Sequence, residues 1–448
     1  MTLTLLAFGM VIVFMTLIMT RKLAPLTALI LVPIAFGVLG GFAPQLGKMM
    51  LDGVTKLAPT GVMLTFAILY FAIMIDAGLF EPVVTALVRI VDGDPVKVVV
   101  GTAVLALVVS LDGDGSTTYM ITVAAMLPLY RRLGIRPLIL ACVTMMAGGV
   151  MNILPWGGPT ARAAAALAVD AGELFVPMIP AMLVAATWVL YASYRLGVSE
   201  RTRIATSGPA TFDDTSALTD SGNDGIADTR RPKLLWVNAL LTLLLMIALV
   251  KGVMPLPILF MIGFAVAIMI NYPSVAEQKQ LLATHAANAL GVASLIFAAG
   301  IFTGILSGTK MVDAMASSVV QAVPASLGPY LSIVTGILSI PFTFFISNDA
   351  FYYGILPILA KAGQAYGITA DEMGRASLVG QPVHLLSPLV PSTYLLVGLA
   401  GVDLGAHQRF TIKWSLLTSL VLLGTGLLTT VIPVVGRLAA SPVTQRTS

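Results

Sequence analysis

The sequence predicts an all-α polytopic membrane protein of about 11–12 transmembrane segments in two inverted repeats, each with a re-entrant hairpin and an unwound helix. Three observations carry that prediction. Of 448 residues, 58% are hydrophobic and only 10% charged, against roughly 25% charged in ordinary soluble domains. Two apolar segments are interrupted in the same way, at Gly148–Thr160 and Gly380–Ser392, by prolines, glycines and polar groups. Matched motifs recur in the two halves at one spacing of about 230 residues: Gly78 with Gly308, Pro128 with Pro357, Gly148 with Gly380.

Taken in order, apolar segments run over 3–19, 24–41, 58–80, 97–111, 137–154 continuing to 168, and 174–195. Each approaches the ~20 residues that cross a bilayer. The composition then changes. Residues 197–233 are rich in Ser, Thr, Gly and Asp, with Arg201, Arg203, Arg230, Arg231 and Lys233 at the two ends, and predict a solvated linker. It divides a first repeat, 1–196, from a second, 234–448. Apolar segments resume over 234–250, 254–271, 283–306, 327–346, 376–386 continuing to 400, and 413–435.

The pieces 112–130 and 347–360 are too short or too polar to span. Each starts polar and contains a Leu-Pro step (Leu127-Pro128, Leu356-Pro357), and each predicts a re-entrant hairpin. With the N-terminus outside, cytoplasmic loops receive twice as many Lys and Arg as external ones, as the positive-inside rule asks. That topology runs the first hairpin in from the cytoplasm and the second from outside, which is the inverted repeat. The opening stretch Met1–Thr20 has no basic start, and Arg21 and Lys22 follow it; it reads as a retained span rather than a cleaved signal. The lone Cys142 excludes a disulfide framework or a cysteine metal site. The net charge of +4 reads as loop charge that orients a membrane protein. That reading of the charge leaves nucleic acid an unexpected partner, and without a phosphate-binding Gly-x-x-x-x-Gly-Lys-Ser/Thr loop ATP is not expected either.

The hairpin starts carry the acids. Asp112 and Asp114 in Asp112-Gly-Asp-Gly-Ser-Thr-Thr-Tyr119, and Asp349 in Ser347-Asn-Asp-Ala-Phe351, follow apolar runs. An ionisable group at that depth faces a cavity or a partner. Paired acids bind a cation or share a proton, or they cap the helix that follows. At the breaks, unwound backbone leading into a new helix presents free amides and a positive dipole end, which suit an anion. Asn152 is matched with His384, Thr160 with Ser392, and Arg162 with Tyr394. Arg162 is the one basic residue placed inside a span; its planar fork holds a carboxylate, or its side chain snorkels to the surface. His384 is read as a carrier of a coupled proton or as a hydrogen-bonded core residue. His285 and His407 read as loop or interfacial residues. Asp76 and Asp313 read as proton-linked or interfacial. The candidate binding set is Ser116, Thr117, Thr118, Asn152, Gly157, Gly158, Thr160, Arg162, Ser347, Asn348, Gln381, His384, Ser392 and Thr393. Asp112, Asp114 and Asp349 form the candidate set for a coupling ion or a substrate metal.

On Val11-Ile-Val-Phe14, Ser110-Leu-Asp-Gly-Asp-Gly-Ser-Thr-Thr-Tyr119, Asn152-Ile-Leu-Pro-Trp-Gly-Gly-Pro-Thr160, Ser347-Asn-Asp-Ala-Phe351 and Gln381-Pro-Val-His384, the chain resembles the citrate–divalent metal:proton symporter family of the ion transporter superfamily. The resemblance covers nearly the whole chain. The wider superfamily carries Ser-Asn-Thr at both hairpins; here Ser347-Asn348 is followed by Asp349, and Ser116-Thr117-Thr118 lacks the Asn. That departure argues against sodium coupling and for protons. The resemblance implies uptake of citrate as a complex with Mg²⁺ or Ca²⁺, with no permanently bound metal and no cofactor. It also implies a homodimer in the bacterial cytoplasmic membrane. The rival readings are a cation/proton antiporter, a sodium-coupled di- or tricarboxylate transporter of the same architecture, and a channel-like or enzymatic membrane protein. No nucleophile–base pair in the sequence favours an enzyme.

Overall fold

The structure, a computed structural model, describes residues 2–91, 93–113, 115–207, 230–324 and 326–437. Within them every regular element is helical. The first half runs α1 (Leu3–Met19), α2 (Pro25–Leu39), α3 (Leu46–Asp76), α4 (Glu81–Ile90), α5 (Pro95–Val109), α6 (Gly115–Arg132), α7 (Pro137–Met151), α8 (Gly158–Leu167), α9 (Ala171–Phe175) and α10 (Ile179–Ser207). The second runs α11 (Leu235–Val250), α12 (Leu256–Asn271), α13 (Val275–Gly308), α14 (Met311–Ala322), α15 (Leu331–Phe345), α16 (Leu356–Gln364), α17 (Ala370–Ser377), α18 (Gln381–His384), α19 (Pro391–Ala400) and α20 (Leu404–Leu428). Seven of the helical stretches are long and apolar enough to cross a membrane, and several shorter apolar helices accompany them.

The halves follow a similar order of elements, although α9 has no counterpart and α17 with α18 stands where the first half has α7 alone. The long helices α3 and α13 are equivalents and cross each other antiparallel: Gly53 meets Gly300, while Asp76 meets His285. Their crossing is made by missing side chains. A Cβ on Gly53 would lie 2.0 Å from the Gly300 carbonyl oxygen, and one on Gly304 would lie 2.3 Å from that of Met49. Small residues four apart let backbones approach in just this way where no water is expelled to drive packing. The neighbours are exchanged: α2 packs on α13, and α12 packs on α3.

Salt bridges and loop contacts mark two opposite faces. At the end of α10, Arg201 pairs with Asp94 (2.7 Å), and buried Glu200 takes Arg136 and Arg203. Arg203 also donates to the Gly134 carbonyl, Arg231 to that of Asn271, and the Arg231 amide to Ala77. All of these loops therefore lie on the face that carries the linker. At the other end of α10, Arg375 donates to the carbonyls of Glu173 and Val431, while Lys361 meets Asp313 and Arg437 meets Glu372. This sorting of loops is the one the inverted repeat requires.

Two boundaries differ from the sequence expectation. The hairpins include an arm each that was read as an ordinary apolar segment. α5 and α6 form the first, with Asp94 and Arg136 both at the linker face; α15 with residues 350–364 forms the second, its Ser332 and Lys361 both at the opposite face. Segments 97–111 and 327–346 are long enough to span, but a polar tip turns each back. The linker is also shorter than 197–233. α10 continues to Ser207 because Glu200, Arg201 and Arg203 are pinned to the neighbouring loops. The remainder, 208–229, lies outside the described residues.

Candidate functional site

Both breaks are built alike. α7 stops at Met151 and α8 starts at Gly158; α18 stops at His384 and α19 starts at Pro391. The freed backbone is satisfied from the helix that follows. Thr160 Oγ1 donates to the Ile153 carbonyl (2.8 Å), and Thr393 Oγ1 donates to that of Leu385 (2.5 Å). Thr160 and Thr393 are therefore the equivalents, each the third residue of its helix, and the expected match of Thr160 with Ser392 is off by one. Arg162 then corresponds to Leu395 rather than to Tyr394. Tyr394 faces outward, half exposed, with its hydroxyl on the Pro388 carbonyl. Likewise Asn152 corresponds to Leu385 rather than to His384. Both unwound stretches have six residues, 152–157 and 385–390, so a match started from Gly148 and Gly380 carries its slip of one residue through the whole break.

Each break meets the hairpin of the other half. α8 packs on the tip of the second hairpin, and α19 packs on α6 of the first. Arg162 Nε donates to Asp349 Oδ1 at 2.6 Å, with the two side chains 24% and 13% exposed. Arg162 does not snorkel. Gly158 makes room for it, since a Cβ there would lie 2.7 Å from the guanidinium. On the other side, Ser392 lies against Gly115 at the start of α6.

A cavity of about 490 Å³ opens between the halves, within the size range of small-molecule sites. Asp112, Gly113, Ser116 and Thr117 from the first hairpin line it, with Gly158 and Arg162 from the first break. Trp156 closes over the hairpin tip. Its Nε1 donates to the Leu111 carbonyl (2.9 Å), and its ring packs on Phe71 and Phe260. Gly113, at φ +78°, takes a left-handed conformation directly beneath the Trp156 ring, where a side chain would collide. The cavity follows α3 from Leu64 to Asp76 and α13 from Ile296 to His285, so its mouth lies at the linker face. There His285 Nε2 and Asp76 Oδ2 are 2.7 Å apart. Asn288 lines the same wall of α13.

Other candidates stand behind the cavity. Gln381 joins the layers: Asn152 Nδ2 donates to its Oε1 (3.3 Å), its Nε2 donates to the Tyr352 hydroxyl (2.9 Å), and Asn348 lies 3.5 Å away. Ser347 caps the turn at Asp349 by accepting from the Ala350 amide. Thr118 is buried and donates to Ser110 within the first hairpin. Gly157 permits a tight turn, as a Cβ would meet the Asn152 carbonyl at 2.3 Å. His384 is buried with Nδ1 on the Thr343 carbonyl (2.7 Å), the core alternative. Asp114 lies outside the described residues.

Among the residues set aside at the sequence level, His285 belongs to the cavity mouth rather than to a loop. His407 is a buried core residue of α20 between Met145 and Thr411, where its apolar neighbours, not its own type, decide the burial. Asp313 is a half-exposed partner of Lys361. Trp156 and Asn288 line the cavity as well, beyond the residues that the sequence points to. Asn288 carried the clearer signal, as a polar residue in an apolar helix run. A π-helical turn at Ala350–Ile355, directly after Asp349, was also unforeseen; such turns are frequent at functional sites.

Residues 4–380 match the family model described as citrate transporter. The chain belongs to the citrate transporter family. It is 59% identical over 420 residues to the citrate transporter of Bacillus subtilis (strain 168), which covers 94% of this chain and 97% of that one. It is 50% identical to the Mg(2+)/citrate complex secondary transporter of the same organism, covering 95% and 98% of the two chains. Among solved structures, the fold is shared with the Alcanivorax borkumensis YdaH transporter (TM-score 0.59, 18% identity, covering 87% of this chain and 88% of that one). It is shared equally with Neisseria gonorrhoeae MtrF (TM-score 0.59, 14% identity, covering 86% and 84%). This citrate transporter family member is a multi-pass membrane protein and not an enzyme.

Proposed function

We propose that the protein is a secondary transporter that takes up citrate as a complex with a divalent metal, coupled to protons. The observation that carries the proposal is the Arg162–Asp349 pair, whose guanidinium side lines the cavity. The names of the relatives support the substrate: one is a citrate transporter, another an Mg(2+)/citrate complex secondary transporter. The chemistry of the lining agrees. A citrate trianion with one bound dication keeps one net negative charge, which suits the Arg162 guanidinium, while Asp112 faces the metal end.

The pair also gives coupling a physical form. Asp349 occupies the guanidinium and competes with a substrate carboxylate. A proton on Asp349 removes the competitor, so proton and anion each favour the other's binding, with reciprocal strength. The Asp76–His285 pair stands where the substrate leaves, and the excess of Lys and Arg in these loops supports a cytoplasmic face here.

The test is uptake of radiolabelled citrate into proteoliposomes under an imposed pH gradient, with and without Mg²⁺ or Ca²⁺. Accumulation that needs both an acidic exterior and a divalent cation is expected. Uptake driven equally by sodium, or ion exchange with no citrate flux, overturns the proposal.

A further inference from the structure

We infer that the groove between α10 and α20 at the linker face is a binding site for the headgroup of an anionic phospholipid. It is separate from the citrate cavity. Arg136, Arg195 and Lys413 line it together with Trp188, Tyr191, Phe410 and Trp414, around a volume of about 530 Å³.

The charges are arranged for an external anion. Arg136 is spent on buried Glu200. Arg195 and Lys413 have no carboxylate partner among the described residues. Arg195 instead donates to its neighbour Tyr191 through the hydroxyl (3.0 Å), and its guanidinium lies 6.0 Å from that ring. The Lys413 ammonium stands 5.7 Å from the Phe410 ring and 5.6 Å from that of Trp414. Aromatic faces hold a cation in place without neutralising it, so two positive charges remain open to a phosphate.

The rest of the groove fits a lipid rather than a soluble anion. Trp188 donates its indole N–H to Thr418 (3.2 Å) and stacks near Tyr191 and Trp414, forming an aromatic collar. Such collars sit at headgroup level. Toward the membrane interior the same two helices expose Leu183, Val184, Leu416, Leu417 and Leu420, an apolar surface for acyl chains. In the other direction α10 turns polar at Ser199 and Glu200. The cations therefore lie at the boundary between the two, where basic pockets between helices take acidic headgroups.

Native mass spectrometry on the full-length protein tests this, after exposure to mixed micelles of phosphatidylglycerol and phosphatidylcholine in equal amounts. The wild type is expected to retain phosphatidylglycerol preferentially, and Arg195→Gln with Lys413→Gln to lower that preference about tenfold. Lys279→Gln with Arg409→Gln, two other cations of the linker face, should leave it unchanged. Equal retention of the two lipids, or the same loss in both double variants, overturns the proposal. So does equally strong competition by inorganic phosphate, which would make the groove a site for free anions.

Discussion

At the scale of the residue, the proposed function concentrates in one ion pair that no local pattern announces. Arg162 and Asp349 are 187 positions apart, yet each was identifiable on its own, because a charge inside an apolar run demands a partner. Replacing Arg162 by Gln should weaken citrate binding by about tenfold to a hundredfold, the worth of one charge-assisted contact of roughly 1.5–3 kcal/mol. Isothermal titration with Mg²⁺-citrate on the folded variant measures it; unaltered affinity would remove Arg162 from the site. Asp349→Asn should behave differently, retaining binding in the same titration, because the competitor for the guanidinium has gone. His384 teaches the converse. Its type invites a proton-carrying role, but its Nδ1 is committed to the Thr343 carbonyl within the core, and residue type alone carries no information about such a commitment.

At the scale of the element, the breaks hold their shape because a threonine from the next helix takes over a released carbonyl. Thr160→Val and Thr393→Val should each cost about 1–3 kcal/mol by leaving a buried carbonyl unpaired. A lowered midpoint in thermal unfolding of the detergent-solubilised protein checks it, and a loss at only one site would show that the two breaks are not mechanically equivalent. The start of α5 offers a second case. Asp94 caps that helix by accepting from the Val96 amide and also pairs with Arg201. The Arg201 hydrogen bonds hold its carboxyl below the usual carboxylate range. A carboxyl lowered by folding adds stability above its unfolded value and loses it as pH falls through the folded one. Asp94→Asn keeps the capping oxygen but not the charge. It should therefore melt below wild type at neutral pH and coincide with it in strong acid.

At the scale of the whole molecule, the two halves exchange partners, and the cavity opens toward one face only. Ser116→Cys, made in a Cys142→Ala background, should react with a membrane-impermeant maleimide from the linker face and be protected by Mg²⁺-citrate. Labelling in inside-out against right-side-out vesicles reads this directly, and equal reaction from both faces would contradict the cavity's single mouth. The order of the elements was legible in advance but not their register: the left-handed turn of Gly78 after α3 is repeated by Lys310 rather than Gly308, and the bond that Gly148 accepts from Asn152 is repeated by Gln381 rather than Gly380. The equivalence of Thr160 with Thr393 was not, because it depends on where each unwound stretch re-enters a helix. Nor was the assignment of 97–111 and 327–346 to hairpins: their length permits a crossing, and only the contacts at their two ends show that they turn back.

What the sequence determined by itself is whatever local composition records. Apolar runs make a membrane protein, prolines and glycines break two of its helices, and acids mark the tips between helices, because each is a property of a few adjacent residues meeting hydrocarbon or a cavity. The tertiary structure decided which break faces which hairpin. α8 of the first half carries Arg162 to Asp349 of the second, and α19 returns Ser392 to Gly115 of the first. Chain neighbours do not dictate that crossing. It follows from the close antiparallel contact of α3 and α13 at Gly53, Gly300 and Gly304, where missing side chains let two halves share one site.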